Sequence, residues 1–153
     1  MGRLAFFVPG VPQPKGSRMA LPLGGKAGSR HVVLVEAGTR RTRPLKALWY
    51  SKVAEHAFMA LQRHAGHLRI DSAVSATVAF RFPIPKSRLR GKKAISPGDP
   101  HLAPCDLDKI LRGVGDALTR SGIIADDRLI WEWHARKTYC VQGDEGADVS
   151  LTW

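Results

Sequence analysis

The stretch Pro104 to Ile130, PCDLDKILRGVGDALTRSGIIADDRLI, limits the possible folds more than any other part of the chain. Leu107, Ile110, Leu111, Val114 and Leu118 recur at the spacing of one buried helical stripe, while Asp108, Arg112 and Asp116 fall four apart on another face. The pattern predicts a helix that starts near Asp106, where a carboxylate suits the free N–H groups and the positive end of the dipole. It ends near Gly122. About 14 residues at roughly 1.5 Å each carry the chain some 21 Å from Asp106. The segment from Ser121 to Asp127, at roughly 3.3 Å per extended residue, is just long enough to run back and set Asp126 and Asp127 beside Asp106 and Asp108. Carboxylates gathered in this way repel one another, and Mg²⁺ or Mn²⁺ is the usual neutralising partner. A purely structural reading stands next to this one, because Asp is a frequent helix cap and Asp-Asp a frequent turn.

The same stretch resembles the signature of the RusA-like Holliday junction resolvases, small endonucleases that cut four-way DNA junctions. The resemblance rests on Pro104-Cys105-Asp106-Leu107-Asp108-Lys109, Arg112, Asp116-Ala117-Leu118, Ser121-Gly122 and Asp126-Asp127 ahead of Leu129-Ile130. It implies that Asp106, Asp108 and Asp127 are the catalytic, metal-binding aspartates, with Asp126 assisting through a bound water. Arg112 stands where the family usually has a helical lysine. Cys105 is an insertion between the proline and the first aspartate, and Lys109 replaces the usual asparagine. Arginine keeps the charge but lacks the compact ammonium, so the role implied for Arg112 is charge balance or a phosphate contact rather than proton transfer. The resemblance also implies Mg²⁺ as cofactor with Mn²⁺ able to substitute, branched DNA as substrate, and a homodimer that matches the two symmetric strands of a junction.

Charge points the same way independently. The 153 residues include 24 Lys and Arg against 13 Asp and Glu, a net charge of +11 that favours a polyanionic partner. The two cysteines, Cys105 and Cys140, form neither a disulfide framework nor a zinc motif, and six scattered histidines add none. No apolar run is long enough for a membrane span, and the amino-terminal one is too short for a signal peptide, so the expectation is a cytoplasmic protein with no membrane partner.

Taken in order, Arg3 to Val8 reads as a strand that ends at Pro9-Gly10. Pro12 to Arg18 is a loop that resembles an early basic loop of phage-like members of the family, with Lys15 and Arg18 as candidate phosphate contacts. Leu21 to Ser29 carries no helix or strand signal, and Gly24-Gly25-Lys26 lacks P-loop spacing. His31 to Glu36 reads as a strand. Leu45, Leu48, Trp49, Val53, Ala57, Ala60 and Leu61 predict a long helix to about Ala65, with Thr42 and Pro44 suiting its start. Trp49 reads as core rather than as a base-stacking platform.

Ala73 to Phe82 alternates as a half-buried strand. Five of the eight residues from Lys86 to Lys93 are basic, so Lys86, Arg88, Arg90, Lys92 and Lys93, together with Lys109, are candidate DNA contacts on a flexible loop spanning 83–104. Leu129 to Val141 alternates again, with Trp131, Trp133, Ala135, Lys137 and Tyr139 on one side. Lys137 resembles a basic residue the family carries there, and its role is open. Ala147 to Trp153 closes the chain as a strand.

These elements predict one α+β domain over residues 1–153, with a mixed or mostly antiparallel sheet and two main helices packed on it. The functional expectation is a Mg²⁺-dependent endonuclease acting on branched DNA in recombination and repair. Two rivals are a basic DNA- or RNA-binding protein without catalysis, whose aspartates are caps and turns, and a metal-dependent nucleotidyl- or glycosyl-transferase using D-x-D to bind a nucleotide diphosphate. The lack of a parallel βαβ pattern near a nucleotide-binding loop speaks against the second.

Overall fold

The computed structural model describes residues 2–16, 18–22, 32–36, 42–64, 69–91 and 93–153, with the segments 18–22 and 32–36 described in their backbone course. Six strands and two long helices follow in the order β1 (Arg3–Pro9), β2 (Arg18–Pro22), β3 (Val32–Glu36), α1 (Thr42–Arg63), β4 (Val74–Pro83), α2 (Leu107–Ser121), β5 (Ile130–Cys140) and β6 (Gly146–Thr152). Short 3₁₀ turns at Lys86–Arg88 and Asp127–Leu129 precede α2 and β5. The expected α+β class and mixed sheet are what is found. Strand β2 lies where the sequence carries no strand signal, and it pairs with β3 as a separate antiparallel ribbon. Gly24-Gly25-Lys26 and Lys92 lie outside the described residues, as does the Arg18 side chain.

The main sheet has the order β1-β6-β4-β5. β6 pairs antiparallel with both β1 and β4, whereas β4 and β5 are parallel and joined through α2. This is a parallel βαβ unit that strand-by-strand reading did not anticipate. The segment between β4 and α2 nevertheless carries no glycine-rich nucleotide loop of the kind a transferase would need.

One sheet face is apolar because alternate residues fall in register: Val78 lies opposite Val149, Ala76 opposite Leu151 and Phe80 opposite Ala147, all buried. The helices cover that face. Trp49, Val53, Ala57 and Leu61 of α1 and Ile110, Val114, Ala117 and Leu118 of α2 supply the other half of the core. Trp49 is core, as expected. Leu45 and Leu48 belong to the predicted α1 stripe but are 50% and 57% exposed. On the opposite sheet face, Arg81 pairs with Asp148 at 2.9 Å and lies over the Phe7 ring.

β5 is an edge strand, and its register with β4 shifts by one residue at its start, where Val74 lies opposite Ile130 and Ser75 opposite Glu132. Trp131 is the extra residue of this bulge and is 68% exposed, so it does not share a side with Trp133. Beyond the bulge, Trp133, Lys137 and Tyr139 lie opposite Ala76, Phe80 and Phe82, on the face that the helices cover.

Candidate active site

Asp106 occupies the N-cap position of α2, with extended backbone geometry, but its side chain makes no capping hydrogen bond. It pairs instead with Lys109, one turn on, at 2.5 Å. That ammonium, first through its hydrogen bond and then through its charge, holds the Asp106 carboxyl below its ordinary range. Crowding by other aspartates would raise it. For Asp106 the opposite holds, because a cation rather than another carboxylate is its nearest charged partner. Asp108 follows in the first turn of α2, and both aspartates are exposed.

The return from α2 is shorter than its contour length allows. Gly122 ends the helix in a left-handed conformation (φ 78°), and Ile123 and Ile124 then turn into the core. Ile70 clamps this segment: its N–H donates to Ile123 at 2.8 Å, and its carbonyl accepts from Ala125 at 2.9 Å. Asp126 caps the following turn by accepting from the Arg128 N–H at 3.0 Å. Asp127 lies beside Gly115, with Oδ2 3.8 Å from the point a Cβ would occupy on that glycine. Gly115 is seven residues beyond Asp108, about 10.5 Å of helical rise. Among the described residues, no three His, Cys, Asp or Glu side chains are grouped closely enough to hold a metal ion.

The oxygen donors themselves suit Mg²⁺, which commonly takes one or two carboxylates and completes its shell with water and substrate phosphate instead of a full protein cage. Asp106 and Asp108 are two exposed carboxylates of that type. Burial pushes the Cys105 thiol up, and the residue packs in the core cluster.

Three groups of cations lie on α2, on the segment leading into it or on elements that touch them. The loop before β2 is strapped along α2: the Lys15 N–H donates to the Lys109 carbonyl at 3.2 Å, and the Lys15 ammonium pairs with Asp116. The i,i+4 spacing suggests that Arg112 would take Asp116. Instead Arg112 donates to the Gly16 carbonyl at 3.4 Å, because the loop brings a nearer cation to the carboxylate.

The second group is the Lys86–Lys93 segment, where Lys86, Arg88, Arg90 and Lys93 are exposed. Arg88 borders a hollow that also touches Pro104, immediately before the acidic head. The third is Lys137, which sequence reading left without a role. It points from the helix-covered face of β5 to the Cys105 carbonyl, with Nζ at 2.5 Å, and its backbone carbonyl accepts from His101 at 3.0 Å. One residue thus ties both ends of the segment leading into Asp106. The available signal was a lysine alternating with Trp133 and Tyr139, a charge in a row that otherwise packs.

His101 is only 7% exposed, stacked on Phe82 with ring centroids 4.0 Å apart and tilted against Tyr139. Desolvation, and then the nearby Lys137 charge, lower its pKa from the ordinary 6.5. The unfolded chain therefore binds the extra proton. The stability this group contributes is complete above about pH 6.5 and is lost as pH falls through the folded value. The carboxylates with lowered pKa values, Asp106 and Glu132, titrate in a lower window. Urea unfolding is expected to show wild type weakening between about pH 7 and pH 5, with His101→Leu losing most of that decline. Parallel declines in the two proteins would place the proton elsewhere.

A single helix carrying an exposed carboxylate pair at its head, laid on a mixed sheet and ringed by cations, defines a small α+β protein with the equipment of a phosphodiester-processing enzyme. A family-wide sequence comparison matches residues 26–150 to the family described as endodeoxyribonuclease RusA, and the chain belongs to that family. Its members are endodeoxyribonucleases, and the match takes in α1, α2 and every aspartate discussed above. No curated protein matches the chain. No described helix is long and apolar enough to cross a membrane.

Proposed function

We propose that this protein is a divalent-metal-dependent endonuclease that cuts branched DNA such as Holliday junctions, in recombination or repair. The observation that carries the reading is the exposed Asp106–Asp108 pair at the head of α2, in a family member with a net charge of +11. Asp106 and Asp108 would hold Mg²⁺, or Mn²⁺ in its place, together with a phosphate oxygen of the DNA. When bound, the ion supplies Lewis-acid polarisation of the phosphate and a more acidic water. Lys137 positions the Cys105 carbonyl and so the backbone that presents Asp106. Asp127 joins by shifting from Gly115 towards the head or through a water held by Asp126. Arg112 balances charge from the next turn. Lys15, Arg18, Lys109 and the Lys86–Lys93 basic segment, Lys92 included, would meet DNA phosphates. Two copies would act as a homodimer on the two-fold symmetric junction, with the cytoplasm as the compartment.

The test is a cleavage assay on four-way and linear DNA with Mg²⁺, Mn²⁺, Ca²⁺ or chelator, with sedimentation to read the number of copies. Cutting of the four-way substrate is expected with Mg²⁺ and Mn²⁺. Ca²⁺ is expected to bind but to support little chemistry, since its looser shell positions water poorly. Full activity in chelator would end the reading. The Lys109–Asp106 pair favours one rival, a DNA-binding protein without catalysis, and that rival predicts tight junction binding with no cutting under any ion.

Lys109 offers a finer test, because its ammonium sits where a metal would draw on Asp106. Lys109→Asn is expected to lower the Mg²⁺ concentration for half-maximal cutting by a factor of about two to five, the scale of losing one exposed ion pair. An unchanged or higher requirement would show that Lys109 does not compete.

A further inference from the structure

Two adjoining hollows run along the groove between α1, α2 and the loop of residues 11–16. The first, about 280 Å³, is lined by Lys15, Arg43, Lys46, Asp116 and Arg120 over a floor of Tyr50, Gly113 and Ala117. The second, about 290 Å³, is bounded by Lys15, Lys46, Cys105, Asp106 and Lys109. They share Lys15 and Lys46, so they form one trench.

Its length follows from α2. Arg120 lies 14 residues beyond Asp106, about 21 Å of helical rise. Five cationic side chains line the trench against two carboxylates, and each carboxylate is already paired, Asp116 with Lys15 and Asp106 with Lys109. Arg43 and Arg120 add further positive charge at the far end.

We infer that this trench holds the phosphodiester backbone of one DNA strand and leads it from the Arg43–Arg120 end to the Asp106–Asp108 head. The floor explains the width. Gly113 has no side chain, and a Cβ there would run into the Tyr50 ring. Tyr50 therefore lies flat, and its hydroxyl donates to the Gln13 carbonyl at 2.5 Å, holding the Lys15 loop as the far wall. Sequence reading assigned no DNA contact to Arg43, Lys46 or Arg120. Arg43 and Lys46 lie one turn apart on α1 and Arg120 lies on α2, so only the packing of α1 on α2 brings the three together.

This inference rests on the endonuclease reading for the identity of the ligand, so binding and cutting are measured separately. Binding of a four-way DNA junction is followed in chelator across a salt series for wild type, Arg43→Ala/Arg120→Ala, and a control, Arg3→Ala/Arg63→Ala. The control removes equal charge from the hollow between β1 and α1. The trench variant is expected to lose about 1.4–1.8 from the log–log salt slope, two phosphate contacts' worth, and about tenfold in affinity near 0.15 M salt. Arg43→Lys/Arg120→Lys, which keeps the charge, is expected to recover the slope. A trench variant whose slope equals that of wild type, or falls no more than that of the control, would overturn the inference. If the trench variant loses the slope but wild type cuts nothing with Mg²⁺, the trench stands and the endonuclease reading falls. If wild type cuts and the slope is unchanged, the endonuclease reading stands and the trench falls.

Discussion

Asp108→Asn is expected to reduce junction cleavage by about three orders of magnitude while junction binding holds or tightens. The amide keeps the shape of the side chain but removes a charged metal ligand, and the Lewis-acid contribution at stake is several kcal/mol, at roughly 1.4 kcal/mol per tenfold in rate. Asp108 is exposed in the first turn of α2, so the substitution leaves the core alone. Removing a negative charge that faces DNA also lessens repulsion, which is why affinity is not expected to suffer. Single-turnover cleavage with Mg²⁺, read beside binding in chelator, separates the two effects. A variant that cuts at near wild-type rate would remove Asp108 from the metal site. Asp127→Asn measured in the same way is informative because Asp127 lies by Gly115. A loss equal to that of Asp108→Asn would mean that its carboxylate travels to the head when DNA is bound.

Gly113→Val is expected to cost about 2–4 kcal/mol of folding stability and roughly 5–15 °C in Tm, although valine is a slightly better helix former than glycine. Propensity and packing pull in opposite directions here, and packing outweighs propensity. A Cβ on Gly113 would fall within the Tyr50 ring. Tyr50 would have to swing away, abandoning its bond to the Gln13 carbonyl and with it the loop that carries Lys15. The double variant Gly113→Val/Tyr50→Ala is expected to recover part of the loss, because the two side chains compete for one space. Thermal and urea unfolding of the four corners of that cycle measure the coupling. A single variant as stable as wild type would show that the α1–α2 contact does not depend on this close approach.

Helix α2 was legible almost to the residue, from Asp106 to Gly122, because its apolar stripe and terminating glycine are local signals that do not depend on the rest of the chain. Strands β4, β5 and β6 were legible for the same reason, as was Trp49 as core. Strand β2 was not, since its stability comes from pairing with β3 and not from a pattern within Arg18–Pro22. The exposure of Leu45, Leu48 and Trp131 was hidden too. An apolar period says which residues share a face, but where the covering layer stops, or where a bulge adds one residue, depends on neighbouring strands.

The same division runs through the site. The order of residues determined the carboxylates available, the helix that presents Asp106 and Asp108, and the positive charge around them, because these follow from residue type and local period. Tertiary structure decided which charges meet. Lys15 takes Asp116 in place of Arg112, Lys137 anchors the Cys105 carbonyl, and Asp127 stops at Gly115, whereas Lys109 meets Asp106 locally, within one turn. Contour length bounds how far a returning segment can reach, but the Ile70 clamp on Ile123 and Ala125 sets how far it does, and such long-range pairings leave no period in the sequence.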